Sequence, residues 1–255
     1  MPVICNPLTG RYVSLPKLRT NKQSRSFLGF DPVDKQYKVL LMNGIVNYET
    51  VHHILTLEAG IMRWRVIQCP FTHKPFGKGI CINWVLYYLA EPTDKSSNVI
   101  VCFDVKSENF KFIKAKCFYQ LVNYKGKLGG ITLKYDNDSR QGAHGNVFRW
   151  PNLELPMWVL EDVETQKWSE FFFPFPDAGF YKHLSVLGVT ATDDIVFSYI
   201  WTSNYYVYFS PEMNTLQRVS LGVGDEYGTV NVFVDHIEDL SVNILKSSIF
   251  DLRGL

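Results

Sequence analysis

Five times along the chain, a polar residue closing a short apolar run is followed six positions later by a large apolar residue opening the next run. The pairs are Asn6 with Tyr12, Asp31 with Tyr37, Asp104 with Phe110, Asp162 with Trp168, and Ser210 with Leu216. Between them lie turn formers such as Pro7-Leu8-Thr9-Gly10 and Pro32-Val33-Asp34-Lys35. A side chain of the Asn, Asp or Ser type can bond backbone groups two positions on and hold a turn, and the sixth residue then returns a ring or alkyl group to the sheet. The repeated unit is therefore strand, turn, strand, and a chain built of it is all-β.

Other runs agree: Tyr37–Met42, Val85–Leu89, Val99–Phe103, Ile195–Tyr199 and Val230–Val234 are short, apolar or alternating, and bounded by Gly, Pro, Asn or Asp. Further hairpins are expected at Leu57–Ile61 before Trp64, at Ile82-Asn83-Trp84-Val85, and at Ala191–Ile195. Two hairpins per repeat make a four-stranded antiparallel sheet, the blade of a propeller, whose period is roughly 40 to 45 residues. The expected fold is an incomplete, kelch-like propeller array over residues 1–245, of about five or six blades, with a tail at 246–255. The repeat drifts in spacing, which leaves a two-sheet sandwich as the competing arrangement.

Composition narrows the function. The 26 basic residues nearly cancel the 25 acidic ones, so no electrostatic footprint for nucleic acid or an anionic membrane is expected. No stretch approaches the ~18 uninterrupted apolar residues of a membrane span, and Met1–Asn6 has no basic region followed by an apolar one. A cytoplasmic and/or nuclear protein is expected. Cys5, Cys69, Cys81, Cys102 and Cys117 are odd in number and lack Cys-x-x-Cys spacing, which fits reduced, packed thiols.

The residues that could carry chemistry each have a structural reading. His52, His53, His73, His144, His183 and His236 contain no pair at the i, i+4 spacing of a zinc-binding helix, and no metal or cofactor is expected. Neighbouring His52 and His53 should point to opposite faces of a strand, one packed and one toward solvent. No Gly-x-Ser-x-Gly elbow occurs, and the cluster Gly222–Gly228 has one residue too many for a dinucleotide fingerprint and reads as a turn. Asp193-Asp194 and Glu161-Asp162 could be glycosidase carboxylates, but adjacent acids fit solvated turns better. The sequon Asn137-Asp138-Ser139 has no meaning without secretion. Lysines between Lys111 and Lys127 interleave with Phe112, Phe118, Tyr119 and Tyr124 as on strands with a basic outer face. Phe171–Pro176 reads either as an aromatic target-binding loop or, preferred here, as a buried strand ending at Pro174. No catalytic residue is expected, and the partner-binding residues are not legible.

Several stretches resemble one family. Phe103–Phe110 is similar to the third-to-fourth strand turn of kelch-type blades. Ile4-Cys5-Asn6-Pro7-Leu8-Thr9-Gly10-Arg11, Leu28–Val39, Gly79–Asn83 with Val85–Ala90, and Trp158–Asp162 with Trp168-Ser169 resemble, in order and spacing, the F-box-associated propeller domain (type 3) of plant F-box proteins. Where that pattern has Asn-Gly in a hairpin, this chain has Asn83-Trp84. A turn requiring positive φ there would hold Trp84 at a cost that glycine does not bear.

The resemblance implies a non-catalytic substrate-recognition module of an SCF-type ubiquitin ligase. In that family the propeller captures a target protein, and an N-terminal F-box docks on the Skp adaptor of a cullin-based ligase. An F-box is not expected ahead of these motifs in the sequence given, and the Skp adaptor and cullin ligase are expected as partners only by that family resemblance. The alternatives are a sugar-binding or sugar-hydrolysing propeller and a truncated gene product without function.

Overall fold

A computed structural model describes residues 3–6, 10, 12–19, 24–43, 50–57, 62–94, 96–116, 120–135, 153–175, 184–199, 205–220 and 234. Among the described residues every regular element is a strand, and the sheets are open, antiparallel meanders with no closed barrel. They fall into two compact units, one drawn from Met1–Ala115 and the other from Lys116–His236. The strand expected at Val230–Val234 and the tail at 246–255 lie outside the described residues, Val234 excepted.

In the first unit, β1 (Val3–Cys5) and β2 (Tyr12–Ser14) form a two-stranded ribbon. A four-stranded meander follows: β3 (Arg25–Asp31), β4 (Gln36–Met42), β5 (His52–Leu57) and β6 (Arg65–Ile67). A second runs through β7 (His73–Ile82), β8 (Val85–Pro92), β9 (Val99–Asp104) and β10 (Phe110–Lys114). In the second unit, β11 (Gln120–Tyr124) and β12 (Lys127–Ile131) pair with each other. The short β13 (Lys134–Tyr135) shares one side of β14 (Leu153–Asp162) with β12, and β15 (Lys167–Pro174) closes the other. The last meander is β16 (Leu184–Val189), β17 (Ile195–Tyr199), β18 (Tyr205–Ser210) and β19 (Thr215–Ser220).

Burial explains why strict alternation is rare in the sequence. The middle strands β4, β8 and β9 are covered on both faces, so Tyr88, Leu89, Ile100 and Val101 are all almost completely buried. Within each unit the first strands of successive meanders approach each other, β3 with β7 and β11 with β16. First strands converge in this way when blades pack around an axis. In the first unit the contact builds a core of Phe27, Leu40, Met42, Ile54, Leu86, Tyr88 and Phe103. The second unit has its own around Val122, Met157, Phe197 and Phe209. The β1–β2 ribbon packs Val13 and Leu15 on Val39 and Leu55, and Trp64 Nε1 donates to the Pro16 carbonyl at 2.9 Å.

All five polar–apolar pairs fall at strand-to-strand turns. Phe30 pairs with Tyr37, Phe103 with Phe110 and Phe209 with Leu216, each spanning the polar residue between them. Asp31 Oδ1 accepts from Val33 N at 2.9 Å, and Asp162 Oδ1 from Glu164 N at 2.8 Å, the two-residue reach expected of a turn-fixing carboxylate. Asp104 Oδ1 instead takes Ser107 N and Oγ. The turns share a second feature: the fourth residue after the polar one is left-handed in every case, at Gly10, Lys35, Glu108, Gln166 and Asn214, with φ between 50° and 66°. Asp104, Asp162 and Ser210 join the third and fourth strands of their meanders, whereas Asp31 joins the first and second. Strands one and three of a meander run the same way, so the same turn serves both positions.

Candidate functional site

His52, His53 and His73 lie among the described residues; His144, His183 and His236 do not. On β5 the alternation of a strand buries His52 and leaves its neighbour His53 half-buried. His73 opens β7, in the next sheet of the same unit, and is completely buried. The two buried imidazoles pack with centroids 5.2 Å apart, and Phe110 stands edge-on to His52 at 5.5 Å.

Polar contacts fix His73 on both sides. Its Nδ1–H donates to the Phe71 carbonyl at 2.8 Å, and its Nε2 accepts from the Tyr88 hydroxyl at 2.9 Å. The Cys69 thiol donates to the same Phe71 carbonyl at 3.2 Å, which leaves Sγ 4.0 Å from His73 Nδ1. His52 Nε2 is buried without a hydrogen-bond partner among the described residues. Burial pushes the His52 imidazole down to about 4, the charge of nearby His73 adding to the effect and the Thr50 carbonyl opposing it. Burial also lowers His73 against the pull of the Phe71 carbonyl, and raises the Cys69 thiol. Both rings are thus neutral imidazoles at neutral pH. A search for His pairs or Cys-x-x-Cys passes over this group, because its members come from β5, from the β6–β7 connection and from β7. The sequence signal that was available is Cys69-Pro-Phe-Thr-His73.

The carboxylate pairs serve turns. Asp194 N is held by Thr190 Oγ at 3.0 Å, Asp193 is ion-paired with Lys125 at 3.5 Å, and Glu161 pairs with Lys127 while Asp162 caps its hairpin. Along β10, Lys111 and Lys114 are both exposed but lie on opposite faces of the strand, while Phe112 packs on Phe71 at 5.2 Å, so the lysines do not form one basic outer face. Gly222–Gly228, the sequon at Asn137, and Phe118 and Tyr119 lie outside the described residues.

The aromatic segment differs from the preferred expectation. Its strand does end at Pro174, but it is not buried: β15 lies at the edge of its sheet, and Phe172 is 60% exposed. Phe173 turns inward onto the second unit's core, and Phe171 lies parallel to it at 6.4 Å, at the rim beside Tyr124. Only Phe175, beyond the strand, is buried. Placement on an outer strand decides this, because such a strand has a neighbour on one side only.

Open antiparallel meanders and turns that absorb the acidic pairs define an all-β, propeller-like array with an aromatic strand at one sheet edge. The F-box associated beta propeller domain family matches residues 1–237, and the chain belongs to that family. A putative F-box protein of Arabidopsis thaliana is 54% identical over 257 residues, covering 96% of this chain and 44% of the relative. A second putative F-box protein of that plant is 48% identical, covering 95% of this chain and 63% of its own length. An Arabidopsis F-box protein is 43% identical, covering 100% of this chain and 67% of its own length. The chain thus spans less than half of the first of these relatives.

Proposed function

We propose that this chain is the target-recognition part of an F-box receptor of an SCF-type ubiquitin ligase, acting in the cytoplasm or nucleus and without chemistry of its own. The observation that carries the reading is the match of one propeller family across residues 1–237, together with relatives named as F-box proteins. The exposed edge of β15, with Phe171 and Phe172 at its surface, supplies a surface of the kind that holds a protein target. The role is proximity: a bound target is presented while another subunit transfers ubiquitin.

The test is affinity capture from plant tissue with this chain, and with a version carrying an F-box ahead of residue 1. The expected result is that both recover the same protein target, that the second also recovers the Skp adaptor and cullin, and that Phe172→Ala loses the target. Recovery of neither target nor ligase components by either version overturns the reading.

A further inference from the structure

The group formed by buried His52 and His73 and half-buried Cys69 is not explained by target recognition. One ligand atom from each residue falls within 4.8 Å of the other two. We propose that these three side chains bind a single borderline-to-soft transition-metal ion, Zn2+ being the representative case, and so staple the two four-stranded sheets of the first unit together.

The chemistry of the donor set carries this. Two imidazole nitrogens and one sulfur suit zinc or copper and not calcium or magnesium, which take oxygen. Zinc bonds of ~2.0–2.1 Å to nitrogen and ~2.3 Å to sulfur put ligand atoms closer together than 4.8 Å, so the group must tighten by on the order of 1 Å. Cys69 lies in the chain segment between β6 and β7, where such a movement strains no sheet pairing.

A second observation points the same way. Among the described residues His52 Nε2 is a buried nitrogen with no partner, in a residue with 2% exposure. A buried polar atom left in that state costs free energy. An imidazole serving only as packing gains nothing from it, whereas a ligand nitrogen needs a free lone pair. The outer partners are also those of a metal site. His73 can bind the ion through Nδ1, the nitrogen facing Cys69, while Nε2–H donates to the Tyr88 hydroxyl already in place. The Phe71 carbonyl holds the Cys69 and His73 protons in the metal-free form. On binding, the Cys69 S–H bond breaks and its proton passes to solvent, His73 loses its Nδ1 proton and takes one up at Nε2 through solvent, metal–sulfur and metal–nitrogen bonds form, and no electron is transferred. Affinity therefore falls on acidification.

The test uses the full chain, chelator-treated under reducing conditions and titrated with Co2+ and Zn2+. The expected result is one equivalent of Co2+ giving the visible bands of a tetrahedral site and a thiolate-to-cobalt charge-transfer band, bleached by Zn2+. Zn2+ but not Mg2+ should raise the melting temperature. Cys69→Ser should abolish the charge-transfer band, Cys81→Ser should keep it, and His52→Gln should weaken binding at least roughly tenfold. Alkylation of the wild-type chain with and without Zn2+, mapped by mass spectrometry, locates the protected thiol even where a variant does not fold. Absence of the charge-transfer band in the wild type, its persistence in Cys69→Ser, or protection of a different cysteine overturns the proposal.

Discussion

The ring of Phe27 lies flat against that of Tyr88, with centroids 4.8 Å apart and planes 14° from parallel, and so joins the two four-stranded sheets of the first unit. Phe27 comes from β3 and Tyr88 from the centre of β8, and Gly79 on β7 leaves the space that Phe27 fills. A Cβ on Gly79 would stand 2.5 Å from the Phe27 ring. Phe27→Ala should cost about 3–5 kcal/mol by opening a cavity at this contact. Tyr88→Phe keeps the stack but strips His73 Nε2 of its partner, at about 1–3 kcal/mol. Urea denaturation of the two variants checks the order; equal or negligible losses would show that this contact does not hold the sheets.

The hairpin of Asn83 and Trp84 has φ of 46° and 57° at its two central residues, a turn whose twist suits the strands but whose second position favours glycine. Trp84 is exposed, so its ring contributes little packing. Trp84→Gly should stabilise the fold by about 1 kcal/mol, read as a higher melting temperature. A lower one would mean that the indole makes a contact worth more than the strain.

Lys35 and Glu108 occupy the same left-handed position of two equivalent turns, with φ of 52° and 60°. Lys35 is exposed, so Lys35→Gly should be neutral or stabilising by up to about 1 kcal/mol. Glu108 accepts from buried Lys38 at 2.9 Å and also pairs with Arg65, so Glu108→Gly should destabilise despite the same backbone relief. Parallel melts of the two glycine variants decide it: opposite signs support the ion pair, like signs the backbone alone.

Glu108 also gives the stability a defined pH dependence. Burial acts to raise its carboxyl, but the hydrogen bonds and charges of Arg65 and Lys38 outweigh it and hold the group below its usual 4.5. The folded value lies below the unfolded one, so this stabilisation is fully present above about pH 4.5 and is lost as pH falls through the folded value. Glu108→Gln should be about 1.5–3 kcal/mol less stable than wild type at neutral pH. The gap should close on acidification below pH 4.5. A gap unchanged down to the lowest pH at which the chain folds would remove Glu108 from the acid response.

Phe172 faces solvent on an edge strand, so Phe172→Ala should leave stability within about 0.5 kcal/mol of wild type. Phe172→Lys should also reduce self-association, because a charge on an edge strand opposes pairing with another copy. Sedimentation velocity and a thermal melt check both. A large loss of stability would place Phe172 in the packing and remove the edge of β15 as a docking surface.

Local chemistry made the hairpins legible. The polar residue that caps a turn and the apolar residue that re-enters the sheet six positions later are adjacent in chain, so Asp31 with Tyr37 or Asp162 with Trp168 marks a turn in any context. The strained position at Trp84 was legible for the same reason, since a two-residue hairpin fixes the sign of φ. The left-handed residues at Lys35, Glu108, Gln166 and Asn214 were hidden, because none is glycine and the neighbouring strands impose the conformation.

What depends on neighbours from elsewhere in the chain needed the tertiary structure. A run of phenylalanines reads as core, yet Phe171 and Phe172 stand at a surface, on a strand that among the described residues has a partner on one side only. His52 and His73 are 21 positions apart with Cys69 between them; they meet because β5 and β7 belong to sheets that pack together. The sequence by itself determined where the chain turns, since capping and re-entry are interactions over a few bonds. Only the packing of sheet on sheet decided which side chains those turns bring together and which are left facing water.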